Sequence, residues 1–304
     1  MTEKLVIGLD IGGGSTKLGL VSPGGTIVAR RRLTYAKAAT GDKILSDYAS
    51  AIDDLMRGQK VERLAGIGIG YPGHILPDHI SGDDSNVLAL DGMPIAEILK
   101  RRFQCPVGLM NDADAGAIAE YRFGAGRGVD RLLMVTVGTG IGLAFLADGV
   151  PTNTANGCLG DAGHVIVVRD NPVRCRKGCL GCLESVASGQ AIERHARRLR
   201  SDHKATSATA ALVRDALGGN ASALGIIAEA GNWIGMAAAS WCNIFAPTTL
   251  LIGGGISAAG AVLVDAILLE TKRRGMPSNV ENVRFGIAEL GNDAGIIGAA
   301  AQMF

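Results

Sequence analysis

Two segments of the chain share one grammar. "LVIGLDIGGGSTKLGLV" near the amino end and "RLLMVTVGTGIGLAFL" in the middle each run from an apolar strand through a Gly-rich turn into a second apolar strand. Each turn carries Ser or Thr. Strands that are apolar at almost every position are covered on both faces. A chain that makes this unit twice is constrained toward two related halves, so we read the pair as a structural duplication.

The segments between repeat a second pattern. From Asp42 to Met56 the residues Ile44, Leu45, Tyr48, Ile52, Leu55 and Met56 recur at helical spacing, which predicts an amphipathic helix. "LAGIGIG" and "VGLM" read as buried strands, with a helix around Ile95–Arg102 between them and another starting directly after Asn111. A long helix is predicted across Ala221–Phe245, then strand "TTLLIGGGIS", a helix to about Arg274, strand "VRFGIAEL" and a last helix near Asp293–Met303. Strands alternating with helices make the fold class α/β. At 304 residues there is room for two lobes, and with no low-complexity linker the lobes are expected to meet at a ligand cleft.

Composition excludes several functions. The formal net charge of +1 gives no long-range field for nucleic acid or acidic membranes. The opening apolar run is too short for a signal peptide and meets an Asp at once, and "WIGMAAASWCNIFA" falls short of a membrane span. A cytoplasmic protein with reduced cysteines is expected, so the six Cys are left for metal binding, catalysis or burial.

The turns point to phosphate. In "DIGGGST" a strand ends on Asp10, and Gly12 and Gly13 free backbone N–H groups for an anion. Asp10 can position Mg²⁺ through water. Gly138-Thr139-Gly140 is a second such turn. "GGG" at Gly253–Gly255 is a third, where Gly254 would let a base or ribose lie against the backbone. Any one alone is an ordinary β-turn; three together predict a nucleotide or polyphosphate site. No Walker loop is present, and the dinucleotide fingerprint is not met.

"VGLMNDADAGAIAE" puts Asn111 and Asp112 at the end of a buried strand and the start of a helix, where α/β folds keep ligand groups. Helix capping explains one of these residues but not the cluster. Asp114 reads as a first-turn residue stabilised by the helix dipole.

His164, Cys175, Cys179 and Cys182 form a one-His, three-Cys set that suits a closed tetrahedral Zn²⁺ site. The alternative is three buried thiols and a satisfied His. The loop between them is polar, with Pro172, Arg174, Arg176 and Lys177, so a metal would supply stability it lacks. Cys105, Cys158 and Cys242 read as core.

Over nearly its whole length the chain resembles the ROK family of bacterial sugar kinases. The motifs are "DIGGGSTK", "GYPGHI", "SNVLALDG", "NDADAGAIAE", "VTVGTGIG", "GDAGH", "CLGCLE" and "LLIGGGIS", in the family's order. The resemblance implies a two-lobed actin-like ATPase (ribonuclease H-like) fold. It implies a smaller lobe of residues 1–110 with a carboxyl-terminal helix about 290–304, and a larger lobe of 111–289. The activity implied is transfer of the γ-phosphoryl of ATP, with Mg²⁺, to the 6-hydroxyl of a hexose. Asp112 would be the base; Gly73, Asn86, Asn111, Asp161, His164 and Glu184 would contact the sugar. Gly12, Gly13, Gly138, Thr139 and Gly254 would contact the phosphates and adenosine. A structural Zn²⁺ would hold His164 and Glu184 in place. A homodimer is expected.

Three departures matter. Asp161 stands where the family usually has Glu. Lys177 stands where it has the middle Cys, with Cys179 two residues later as the replacement ligand. The longer "DIGGGSTK" turn leans toward polyphosphate-using glucokinases, whose relatives lack the Cys loop. We read Lys17 as a solvated strand residue rather than a phosphate contact. Glucose is the default substrate, with N-acetylmannosamine, N-acetylglucosamine, allose and fructose as alternatives. The basic run Glu193–Arg200 reads as a solvated face. A sugar-responsive repressor is disfavoured, because nine residues before Asp10 leave no room for a DNA-binding domain.

Overall fold

A computed structural model of the chain describes residues 4–36, 38–76, 80–81, 87–155, 157–159, 161–199 and 208–304. In chain order the first elements are β1 (Val6–Ile11), β2 (Ser15–Val21), β3 (Ile27–Thr34), α1 (Gly41–Gly58) and β4 (Gly66–Tyr71). A short hairpin, β5 (His74–Ile75) and β6 (Ile80–Ser81), precedes α2 (Ile95–Phe103), β7 (Val107–Asn111) and α3 (Asp112–Phe123). Then come β8 (Arg131–Val137), β9 (Ile141–Ala147), β10 (Val150–Pro151), α4 (Leu183–Ala187), α5 (Gly189–Leu199), α6 (Ala208–Leu217) and α7 (Ala221–Phe245). The chain closes with β11 (Thr249–Gly253), α8 (Ala261–Arg274), α9 (Pro277–Val280), β12 (Arg284–Ile287) and α10 (Ala294–Ala301).

The chain divides into two compact units. The first comprises residues 1–127, 149–160 and 293–304; the second comprises 128–148 and 161–292. The helix that begins at Asp112 therefore groups with the first unit.

In the first unit the sheet order is β3-β2-β1-β4-β7. β1 pairs antiparallel with β2 and parallel with β4. Val, Ile and Leu fill these strands, so both faces are covered: α1 lies over one and α10 over the other. Thr40 caps α1 by accepting from the Lys43 amide, 3.3 Å away. The helix turns Ile44, Leu45, Tyr48, Ile52 and Leu55 onto Ile7, Leu9, Leu18 and Ile69 of the sheet. Full burial of side chains of that size stabilises the unit by about 1.5–3 kcal/mol each. The result is strand ends β1, β4 and β7 held level, with the Asp10 turn and Asn111-Asp112 at their carboxyl ends.

In the second unit the strands β9, β8, β11 and β12 lie in that order, with β8–β9 antiparallel and the rest parallel. The predicted helix Ala221–Phe245 is observed with those bounds. Asn220 caps it, and α8 packs along it. No helix among the described residues is long and apolar enough to cross a membrane.

Candidate active site and metal centre

The first glycine turn is held from behind. The Gly12 amide donates to the Ser15 carbonyl at 3.0 Å, and the Tyr35 amide donates to the Gly14 carbonyl at 3.4 Å. The buried Thr16 hydroxyl bonds the Tyr48 hydroxyl at 2.7 Å, and Tyr48 bonds Tyr35 at 2.7 Å, with Thr16 and Tyr35 also in contact. Burial pushes the Tyr48 phenol up to about 12, so it stays protonated at neutral pH. Gly13 and Gly14 are left exposed at the tip.

The register pairs Asp10 with Lys17 across β1 and β2, and the Lys17 ammonium donates to Asp10 at 3.0 Å. Lys17 is therefore a partner of the carboxylate and not a solvated strand residue. Sequence gave no sign of this, because the pairing is fixed by register.

Asn111 has two tasks. Its Oδ1 accepts from the Ala113 amide at 2.9 Å and so caps α3, while its Nδ2 donates to the Gly73 carbonyl at 3.1 Å. This joins the turn after β4 to the end of β7. Asp112, the first residue of α3, is exposed beside them. Gly73, Asn111 and Asp112 are thus brought together. Asn86 lies outside the described residues. Asp114 lies in the first turn of α3, as expected, and is only 1% exposed.

The second glycine turn is held differently. The Gly138 amide donates to the Gly140 carbonyl at 2.9 Å, and the Gly189 amide donates to the Gly138 carbonyl at 2.8 Å. Glu184 Oε2 accepts from the Ile141 amide at 3.1 Å. A Cβ on Gly140 would sit 2.3 Å from that oxygen, so any larger residue would have to displace the Glu184 carboxylate. Gly254 follows β11 with φ at +84°, and a Cβ there would lie 2.4 Å from the Val137 carbonyl oxygen. That places the third turn beside the end of β8, level with Gly138.

The metal-ligating atoms of His164, Cys175, Cys179 and Cys182 all lie within 4.8 Å of one another. His164 Nδ1 is 3.2 Å from Cys179 Sγ and 3.7 Å from Cys175 Sγ, and the two sulfurs are 3.1 Å apart. A tetrahedron with bonds of about 2.3 Å has edges of about 3.8 Å, and the separations among the four donors, from 3.1 Å to within 4.8 Å, bracket that value. Cys179 lies in this cluster and Lys177 does not. All six cysteines are free thiols, and Cys105, Cys158 and Cys242 are buried. Burial opposes ionisation of Cys175, but hydrogen bonding from Cys179 and from backbone amides outweighs it and lowers its pKa. Burial and the neighbouring thiols push Cys179 up to about 12.

His164 shows its two ring nitrogens to different groups. Nδ1 faces the thiols, while Nε2 lies 3.9 Å from Glu184 Oε1. One carboxylate therefore stands between the second turn and the metal cluster. The Lys177 ammonium is 3.9 Å from Asp161. The family resemblance set His164 and Glu184 together, but the Glu184–Ile141 and Lys177–Asp161 links were not legible in the sequence.

The two duplicated hairpin-and-turn sheets define the two-lobed actin-like α/β fold. Residues 6–303 match the ROK family, and the chain belongs to it. It is 32% identical to a glucokinase of Halalkalibacterium halodurans, covering 98% of this chain and 94% of that protein. It is 33% identical to a Thermotoga maritima glucokinase, covering 99% and 98% respectively. A ROK family glucokinase structure from Streptomyces griseus, in complex with glucose and AMPPNP, superposes with a TM-score of 0.81 at 28% identity, covering 98% of each chain.

Proposed function

We propose that the protein is an ATP-dependent hexose kinase of the glucokinase type, acting in the cytoplasm as a homodimer on the 6-hydroxyl of glucose. The observation that carries this reading is the exposed Asp112 carboxylate, set at the head of α3 beside the Asn111–Gly73 anchor. Full-length similarity to glucokinases supports it.

In this reaction Asp112 accepts the proton of the sugar hydroxyl as its oxygen bonds to the γ-phosphorus. The bond to ADP breaks, and the electron pair leaves with ADP. The transition state is loose, so positioning and charge neutralisation supply most of the rate. Gly73, Asn86 and Asn111 hold the sugar near the base. Asp161, His164 and Glu184 take further hydroxyls, since carboxylates and imidazole bind neighbouring hydroxyls in a fixed fan. Gly12, Gly13, Gly138, Thr139 and Gly254 offer amides and open space to the phosphates and adenosine.

Asp10 is the residue that would hold Mg²⁺ through water, and such an ion supplies charge neutralisation at the phosphates. Lys17 keeps that carboxylate oriented. His164, Cys175, Cys179 and Cys182 would hold a structural Zn²⁺, whose contribution is rigidity of the loop bearing Asp161, His164 and Glu184.

A coupled assay over hexoses and donors, polyphosphate among them, tests the reading. Glucose with ATP should give the highest kcat/KM. Absence of phosphoryl transfer to every hexose would overturn it, and faster turnover with polyphosphate would overturn the choice of donor.

A further inference from the structure

Asp114 follows Asp112 by two residues on α3 and has the opposite surroundings. Asp112 is exposed, whereas Asp114 is 1% exposed and its Oδ1 is buried with no hydrogen-bond partner among the described residues. The elements packed against α3 are α10, β4 and β7. α10 reads AGIIGAAA and β7 reads VGLMN, so neither carries a titratable group; β4, GIGIGY, offers only Tyr71. On α3 itself the titratable groups are Asp112, Glu120, Tyr121 and Arg122. Arg122 donates to the Ala301 carbonyl, and Glu120 accepts from the Ala125 amide. No cation pairs with Asp114 among the described residues.

An ionised carboxylate in that setting carries its desolvation cost uncompensated. The helix amino end offers partial positive charge, but Asp112 stands nearer to it. Burial, and then the charge of Asp112, push Asp114 up to about 7.

We propose that Asp114 is a positioning residue for the base: a buried carboxyl with an unpartnered oxygen, two residues from Asp112, whose own ionisation sets the basicity of Asp112. While Asp114 is neutral, Asp112 is the sole anion of the first turn of α3. Once Asp114 ionises, a like charge beside Asp112 makes it hold a proton more tightly and so accept one more readily. The consequence is a kcat that climbs through neutral pH. The kinetic half of this inference rests on Asp112 being the base.

Asp114→Asn keeps the shape and removes the titration. Difference infrared spectra of the full chain, stepped through pH, should show a carboxylic-acid carbonyl band that fades around neutrality in the wild type and is missing from the variant. The kcat profile should show a few-fold rise centred near pH 7 that Asp114→Asn flattens. A wild type without that band at pH 6, or a variant with the same kinetic rise, would overturn the proposal. The spectral arm needs no turnover, so it stands apart from the test of Asp112, which is the loss of kcat in Asp112→Asn. If the variant folds poorly, urea unfolding of the wild type gives a second answer. Asp114 binds its proton more tightly when folded, so stability should be greatest below about pH 4 and fall as pH rises to about 7. The same measurement on Asp114→Ala should lose that fall, and an unchanged slope there would also refute the idea.

Discussion

The two glycine turns come from the same hairpin grammar and are stabilised by different means. In the first unit the turn rests on three hydroxyls, those of Thr16, Tyr35 and Tyr48, and its charged pair Asp10–Lys17 stands in register beside it. In the second unit the turn has no such pair among the described residues. It is pinned by backbone hydrogen bonds and by Glu184, which also faces His164 of the metal cluster. The two turns thus share a backbone plan and differ in the charged groups beside them: Asp10 and Lys17 at the first, Glu184 and the His164 cluster at the second.

If that division holds, the two halves should fail in different ways. The largest effect is expected for Asp112→Asn, which should lower kcat by about 10²–10⁴-fold with sugar affinity retained. Steady-state kinetics and isothermal titration with glucose check it. Cys182→Ser should release the zinc and raise the sugar KM, with metal content read by elemental analysis; full metal occupancy would break the ligand set. Glu184→Gln should raise the sugar KM more than it lowers kcat. A kcat-only defect there would erase the contrast between the turns.

A pair of glycine substitutions sharpens the comparison further. Gly140→Ala must displace Glu184 and should cost about 1–3 kcal/mol in urea unfolding. Gly138→Ala meets no atom within 4 Å, so it should leave stability within about 0.5 kcal/mol while weakening nucleotide binding. Tyr48→Phe should cost about 1 kcal/mol and raise the ATP KM without touching the sugar KM. The smallest effect is expected for Lys177→Ala. Its ion pair with Asp161 is partly exposed, so a few tenths of a kcal/mol is the expected loss, with zinc content unchanged.

Much of this architecture was legible before any coordinates. Apolar strands ending in glycine are marked by local composition, and so β1, β4, β8 and β11 were readable, as was the long helix α7. The Cys-rich loop was readable because thiol spacing is rare enough to carry meaning. What stayed hidden depends on partners distant in sequence. Asp10–Lys17 needs a register, Ile141–Glu184 needs two segments brought together, and Lys177–Asp161 needs the loop to fold back. The burial of Asp114 could not be read, because its sequence neighbours announce a helix start and say nothing of the packing of α10 on α3. α6 went unread, as its short apolar pattern is not flanked by clear caps.

One feature of the connectivity reaches into how the molecule is made. α10, built from residues near the very end of the chain, packs on β1, β2, β4 and α3, which are all synthesised early. A ribosome delivers these strands well before the helix that covers them. The first strands to emerge must therefore wait, with one face of their sheet uncovered, until α10 has been made.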